Sequence, residues 1–187
     1  MDHYIDITVL PDPEFPVTTL MNALFAKLHR GLVDHGGRDI GVSFPEVVQG
    51  KRTLGPRLRL HGDSSSLDRL MAIGWMQGMR DHVTVTPVQP IPAEVQHRVV
   101  RRVQAKSSPE RLRRRLIARK SIDAETARTA IPDSAAEMLE LPYVEIASRS
   151  TGQRFKLFIE HLKPVSTATA GPFGTYGLGT NATVPWF

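Results

Sequence analysis

An α+β fold in two parts is predicted by three observations. Strand-like and helix-like segments succeed one another as β-α-β-β-α-β within the first ninety or so residues, and a second mixed set follows. The proline-bearing stretch "QPIPAE" separates the two sets, which puts one domain at 1–92 and another at 93–187. The excess positive charge is confined to one short segment of the second. Residues 94–120 carry 8 Arg, 2 Lys and 2 Glu, a net of +8, whereas 1–93 carry a net of −1 and 121–187 a net of −2.

The first strand is "YIDITVL" (4–10), which alternates as a half-buried strand does and stops at the breaker cluster "PDPEFP". A helix over 17–37 follows, with Leu20, Met21, Leu24, Phe25, Leu28 and Leu32 at helical spacing and Gly36-Gly37 at its end. "IGVSF" (40–44) and "RLRLHG" (57–62) read as strands joined by a loop. "SSSLDRLMAIGWMQGMRDH" (64–82) reads as a serine-capped helix, and "VTVTPV" (83–88) alternates again. This order is the ferredoxin-like pattern. RNA-recognition motifs share it, but the strands lack the aromatic stripe that stacks bases in such domains: "IGVSF" offers one Phe and "RLRLHG" none.

In the second part "VQHRVVRRVQ" (95–104) alternates as a strand carrying Arg102 and Gln104 on one face. "SSPERLRRRLIARK" (107–120) opens like a helix, with Ser108 at the N-cap, Pro109 in the first turn and Glu110 at the positive end of the dipole. "DAETARTAI" and "SAAEMLE" suggest two short helices, and "YVEIASRST" (143–151) with "RFKLFIEHL" (154–162) a hairpin. The tail "GPFGTYGLGT" is rich in glycine, and "VPWF" closes the chain.

Composition excludes several classes. Hydrophobic residues make up 41% of 187, enough for a packed core, yet no run nears the roughly 18 apolar residues of a membrane helix. The acidic, alternating N-terminus is no signal peptide, so a soluble cytoplasmic protein is expected. With no cysteine there are no disulfides, thiolate metal sites or cysteine nucleophiles. The seven histidines form neither an HExxH motif nor a close His/Asp cluster, so neither metal nor other cofactor is expected.

The basic helix reads either as a solvated charged face or, as its arginine content favours, as a surface for a polyanion. At about 100° per residue, Arg111, Arg114, Arg115 and Arg119 fall within an arc of roughly 140°, with Leu112 and Leu116 beside it to dock the helix. Four guanidiniums so arranged can fork onto successive backbone phosphates. Arg113 and Lys120 point elsewhere and are expected to be solvated or paired with acids. Duplex RNA has a deep, narrow major groove that admits a helix only where the duplex is short and opened by a loop, so a hairpin is the fitting target.

The stretches "DHYIDI", "PDPEFP", "IGVSFPE", "RVQAKSSPERLRRRL", "STGQRFKLFI" and "YGLGTNATVPWF" together resemble one family along the whole chain. It is the CRISPR-associated endoribonuclease of the type I-F (Ypest, Csy) system, which cuts precursor CRISPR RNA at its repeat hairpins. The resemblance implies a ferredoxin-like domain followed by one that lays the arginine helix in the hairpin's major groove, with Arg114, Arg115 and Arg119 on phosphates. It implies that Arg102 and Gln104 read a guanine and an adenine near the foot of the stem, pairings that are chemically apt. Phe155 would stack on the base of the stem, although its parity with Leu157 and Ile159 reads equally as burial. Where a member of the family carries a further arginine on the helix, this chain has Ala118, which implies one phosphate contact fewer.

His29 lies beside the apolar face of its helix, where a histidine is ordinarily a packed boundary residue. The resemblance makes it the catalytic histidine, taking or orienting the proton of the 2′-OH, a task suited to imidazole. Ser148 would hold that hydroxyl and Tyr176 would orient His29, while Ser150 and Thr151 would bond the backbone near the cut. By themselves Ser148 reads as a polar strand residue and Tyr176 as a tyrosine packed in a glycine loop. The resemblance further implies that the product stem-loop is retained and joins a surveillance complex with other CRISPR-associated proteins of the type I-F system. The alternative is a non-catalytic binder of structured RNA using the same arginine face. A DNA-binding protein is a weaker third reading.

Overall fold

The structure, a computed structural model, describes residues 1–104, 109–132, 139–147, 152 and 154–187. It is α+β, with two antiparallel sheets and four helices among the described residues. By contacts the chain groups into two compact units, Met1–Val103 with Leu141–Phe187, and Gln104–Glu140. The division expected at 92/93 falls between the two sheets, inside the first unit.

The first sheet contains β1 (His3–Val9), β2 (Gly41–Ser43), β3 (Arg57–Gly62) and β4 (Val83–Val85) in the order β2-β3-β1-β4, with the two-residue β5 (Gln89–Pro90) pairing the start of β1. Its helices are α1 (Val17–His35) and α2 (Ser64–Ala72). The apolar stripe of α1 is buried as its spacing requires, at Leu20, Met21, Leu24, Phe25, Leu28 and Leu32. The helix stops where Gly36 takes φ 71°, and its N–H returns to Leu32 O.

Two expectations about α2 are corrected. Its N-cap is Asp63, not a serine: the carboxylate accepts from Ser66 N at 2.8 Å. The Ser65 hydroxyl and that N–H hold the Asp63 carboxyl down at about 2. The helix ends at Ala72 rather than 82, because Gly74 and Gly78 adopt φ of +70° and +77°. The turns between them seat Trp75 against α1 at Gly31, where an added Cβ would stand 2.7 Å from the indole.

The second sheet runs β7-β8-β6-β9, from β6 (Gln96–Val103), β7 (Tyr143–Ala147), β8 (Arg154–His161) and β9 (Thr183–Trp186). One continuous core joins the sheets, from Ile5, Leu24 and Leu58 to Val100, Leu157 and Val184. A polar layer lies within it. Asp6 and Arg59 sit opposite each other in the β1–β3 register, both buried, and form a forked pair at 2.6 and 2.9 Å. Arg59 Nη1 also donates to Phe187 O at 3.0 Å, while its guanidinium lies 4.0 Å over the Phe187 ring. Buried charges persist when paired and fully bonded in this way. Nearby, His61 Nε2 meets Ser43 Oγ at 2.8 Å, and burial, aided by the Arg59 charge, pushes His61 down to about 3.

The second unit contains α3 (Pro109–Lys120) and α4 (Ala124–Ala130), the latter capped by Asp123, which accepts from Thr126 N at 2.8 Å. Ser108, the expected cap of α3, and nearly all of "SAAEMLE" lie outside the described residues. Among the described residues no helix is long and apolar enough to cross a membrane.

Candidate active site and nucleic-acid interface

His29 sits on α1 one turn after Phe25, at the edge of the buried stripe and itself half-buried. Two features of the chain's other end fix its ring. Nδ1 lies 2.8 Å from the carbonyl oxygen of Thr175, and the ring stacks on Tyr176 with centroids 4.0 Å apart and planes 15° from parallel. A carbonyl can only accept, so Nδ1 carries the proton and, in the neutral ring, Nε2 keeps its lone pair. Behind Tyr176 lies the fully buried Phe25, parallel to it within 3° at 6.2 Å. The three rings form one pile, anchored in the core at the phenylalanine end.

The loop that supplies Thr175 and Tyr176 is a tight hairpin. Phe173 bridges Gly179, Gly174 N donates to Leu178 O at 2.9 Å, and Gly177 N donates to Gly174 O at 2.8 Å. It is stitched to the rest of the first unit at three points: Phe173 N to Arg38 O at 2.9 Å, Gly179 N to Val100 O at 3.0 Å, and Val42 N to Gly177 O at 2.9 Å. Gly177 has φ +67°, and a Cβ there would meet Val42 Cγ1 at 2.5 Å, so the turn requires glycine on both counts. The hairpin tip is thus held rigidly against His29.

Arg102 and Phe155 complete the group. Arg102 stands opposite Ile159 in the β6–β8 register, which places it on the same face of the sheet as Phe155. Its guanidinium centre is 5.7 Å from the Phe155 ring and 5.9 Å from the Tyr176 ring, within cation–π range of both. Phe155 is neither freely exposed nor lost in the core: it is half-buried and packed against core residues. Of the residues singled out from sequence, the structure therefore brings together His29, Tyr176, Arg102 and Phe155. Ser148, Ser150 and Thr151 lie outside the described residues. Among the described residues no three or more His, Asp or Glu cluster in a way that would hold a metal ion. The arrangement can accept a proton at Nε2, with a permanent cation and an exposed aromatic edge at the same place.

The second unit presents the basic surface. No residue of α3 is buried, and Arg111, Arg114, Arg115, Arg119 and Ala118 are all exposed, as is Gln104. Leu112, Leu116 and Ile117 are half-buried. Arg113 is half-buried, and its Nε donates to Ile131 O at 2.7 Å, the carbonyl just past α4, which ties the two helices of this unit together.

Two contributors to the site were not visible in the sequence. The Thr175 carbonyl is a backbone atom with no residue signature. Phe25 reads as core, and its spacing of four residues before His29 is the signal that the two share a face.

Residues 4–187 match the family model described as "CRISPR-associated protein (Cas_Csy4)". The chain is 50% identical over its full length, and the full length of the relative, to "CRISPR-associated endonuclease Cas6/Csy4" of Pseudomonas aeruginosa (strain UCBPP-PA14). It is 46% identical, again over all of both chains, to the protein of the same name in Escherichia coli (strain UTI89 / UPEC). A solved structure titled "Structure A of CRISPR endoribonuclease Cse3 bound to 19 nt RNA" aligns over both chains with 15% identity and a TM-score of 0.39, too slight a likeness to argue from.

Proposed function

Because this chain belongs to the Cas_Csy4 family of CRISPR-associated proteins and is a CRISPR-RNA-processing endoribonuclease, we propose that it cuts precursor CRISPR RNA at the 3′ foot of the repeat hairpin by 2′-OH chemistry without a metal. The observation that carries this reading is the Thr175 carbonyl on His29 Nδ1, which leaves Nε2 as the acceptor in the neutral ring. Nε2 removes the proton of the 2′-OH, O2′ attacks the adjacent phosphorus, and the 5′-oxygen of the next nucleotide leaves, taking up a proton from water. The products are a 2′,3′-cyclic phosphate and a 5′-hydroxyl end. Tyr176 keeps the imidazole from rotating, and Ser148 holds the hydroxyl.

Arg102 offers a guanidinium edge to a guanine, with the adjacent Phe155 ring against the terminal base pair of the stem. Gln104 takes the neighbouring adenine. Arg111, Arg114, Arg115 and Arg119 grip stem phosphates, and Ser150 and Thr151 bond the backbone near the cut. The domain carrying His29 is ferredoxin-like, a reading supported by its β-α-β-β-α-β order and the strand order β2-β3-β1-β4. The protein works in the cytoplasm, keeps its product stem-loop, and hands it to a surveillance complex with other CRISPR-associated proteins of the type I-F system.

Single-turnover cleavage of the repeat hairpin in EDTA tests this. Wild type should make one cut at the 3′ foot of the stem. His29→Ala should slow it by roughly 10²–10⁴-fold while still binding RNA. A 2′-deoxy nucleotide at the cut should abolish it. Tight binding with no scission by wild type would instead indicate a scaffold for structured RNA.

A further inference from the structure

We infer that Phe25 is a positioning residue for the cleavage step: its buried ring sets the plane of the Tyr176 ring and, through it, the plane of the His29 imidazole. The inference rests on the role given above to His29.

The bond from Nδ1 to the Thr175 carbonyl holds one corner of the imidazole and leaves the ring free to turn about that N–H···O axis. What holds the plane is a stacked face, and that face is Tyr176, with centroids 4.0 Å apart. Tyr176 is itself half-buried near the tip of a hairpin, preceded by the exposed Gly174 and Thr175. The backbone bonds at Gly174, Gly177 and Gly179 fix the path of that loop, but they do not choose a side-chain rotamer. Packing must do so. The Tyr176 ring packs on the core, and Phe25 lies parallel to it within 3° at 6.2 Å, a spacing at which aromatic rings attract.

Phe25 is fit to serve as the reference. Its relative exposure is 0%, and it stands on α1 one turn before His29, so one helix carries both the innermost and the outermost ring of the pile. Four residues of helix separate the two by about 6 Å along the axis. Phe25 also meets Phe44, equally buried, at 5.9 Å with the planes tilted by 38°. Phe44 directly follows β2, the strand whose Val42 N accepts its partner from the hairpin at Gly177 O. The same end of β2 therefore supports both the hairpin backbone and the ring behind Tyr176. A leucine at 25 would keep the apolar stripe of α1, but it has no flat face to align a tyrosine ring.

The test is single-turnover cleavage of the repeat hairpin RNA at saturating protein, with the dissociation constant and thermal melting measured beside it. Phe25→Leu is expected to slow cleavage by roughly fivefold to tenfold while Kd stays within about twofold. Should that variant not fold, Phe25→Met, which fills the space with a flexible chain, takes its place. Phe25→Tyr keeps the flat ring and buries a hydroxyl, so it is expected to melt below wild type yet cleave within about twofold of it. Phe44→Leu damages the same core away from Tyr176 and His29, and should lower the melting temperature with less loss of rate. In a Tyr176→Leu background, Phe25→Leu should add little, because residues acting through one another are not additive. Proton NMR of the free protein reads the pile without activity: the His29 ring resonances, shifted by the Tyr176 face in wild type, should move toward unstacked positions in Phe25→Leu. A wild-type rate or unmoved His29 resonances in Phe25→Leu overturn the proposal. So does slowing by Phe25→Tyr or Phe44→Leu as large as that by Phe25→Leu, or equal slowing in both Tyr176 backgrounds. If His29→Ala itself cleaves at the wild-type rate, the role given to His29 fails, and that of Phe25 fails with it.

Discussion

Four arginines on one 12-residue helix make the basic surface, whereas His29, Arg102, Phe155 and Tyr176 reach the proposed active site from four separate stretches of chain. No residue of the helix is fully buried, so its character is set by which residue types recur at 3.6-residue spacing. The histidine, by contrast, owes its tautomer to a carbonyl 146 residues away and its orientation to a ring pile rooted in the core at Phe25. If the proposed roles hold, grip is a local property of this chain and chemistry a property of its packing. Damage to the two should separate: losses on α3 should appear in affinity, losses around His29 in rate.

The largest effect that would test this division is on the helix. Replacing Arg114, Arg115 and Arg119 together by alanine should weaken hairpin binding by roughly 10²–10³-fold, at about 1 kcal/mol or a little more for each charge-assisted contact. The slope of log affinity against log salt should flatten by roughly 0.7–0.9 for each phosphate contact removed. Cleavage at saturating protein should stay within severalfold of wild type. A triple variant that binds well but cuts slowly would break the comparison, since the helix would then take part in the chemistry.

A smaller effect of the opposite kind is expected at Gly177, which follows Tyr176 in the hairpin and has no side chain of its own. Gly177→Ala places a Cβ about 2.5 Å from Val42 Cγ1, on a fully buried neighbour, in a left-handed conformation that costs a further 1–2 kcal/mol. The hairpin must shift away from β2, and Thr175 and Tyr176 move with it. Cleavage at saturation should fall by roughly tenfold or more, with a lowered melting temperature and hairpin affinity changed little. Wild-type cleavage by this variant would mean that His29 does not depend on the hairpin tip.

The same division explains what could be read from sequence. α1, β1, β3, β6 and β8 were legible because each carries enough residues for its period to show. The end of α2 was not: apolar spacing runs on through Trp75 and Met79, and two glycines at positive φ overrule it so that Trp75 can pack on Gly31. β9 was not read as a strand either. Its four residues include Pro185, and its strand character comes from pairing with β6. The arginine face of α3 was legible from spacing alone. His29 and Tyr176 stood out only through the family resemblance, because a backbone carbonyl and a ring contact between α1 and the C-terminal hairpin leave no pattern in either stretch. The bond from Arg113 to the Ile131 carbonyl left no pattern either, since a backbone acceptor has no residue signature.

The smallest effect bears on whether grip is fully local. Ala118 is exposed and lies near the middle of the arc spanned by Arg111, Arg114, Arg115 and Arg119, three residues from one arginine and four from another. Ala118→Arg should add one forked phosphate contact and tighten hairpin binding by about fivefold at moderate salt, close to 1 kcal/mol. The cost to the helix is small, since arginine ranks just below alanine in helix propensity, although a fifth positive charge on the face repels its neighbours until RNA neutralises it. That repulsion predicts a slightly lower melting temperature for the free protein and a slightly larger rise on binding RNA. The salt slope should steepen by roughly 0.7–0.9, and the rate at saturation should not change. If affinity and slope stay at wild-type values, the phosphate that such an arginine would meet is already held by another side chain. Grip would then depend on residues outside the helix, and on packing as much as the chemistry does.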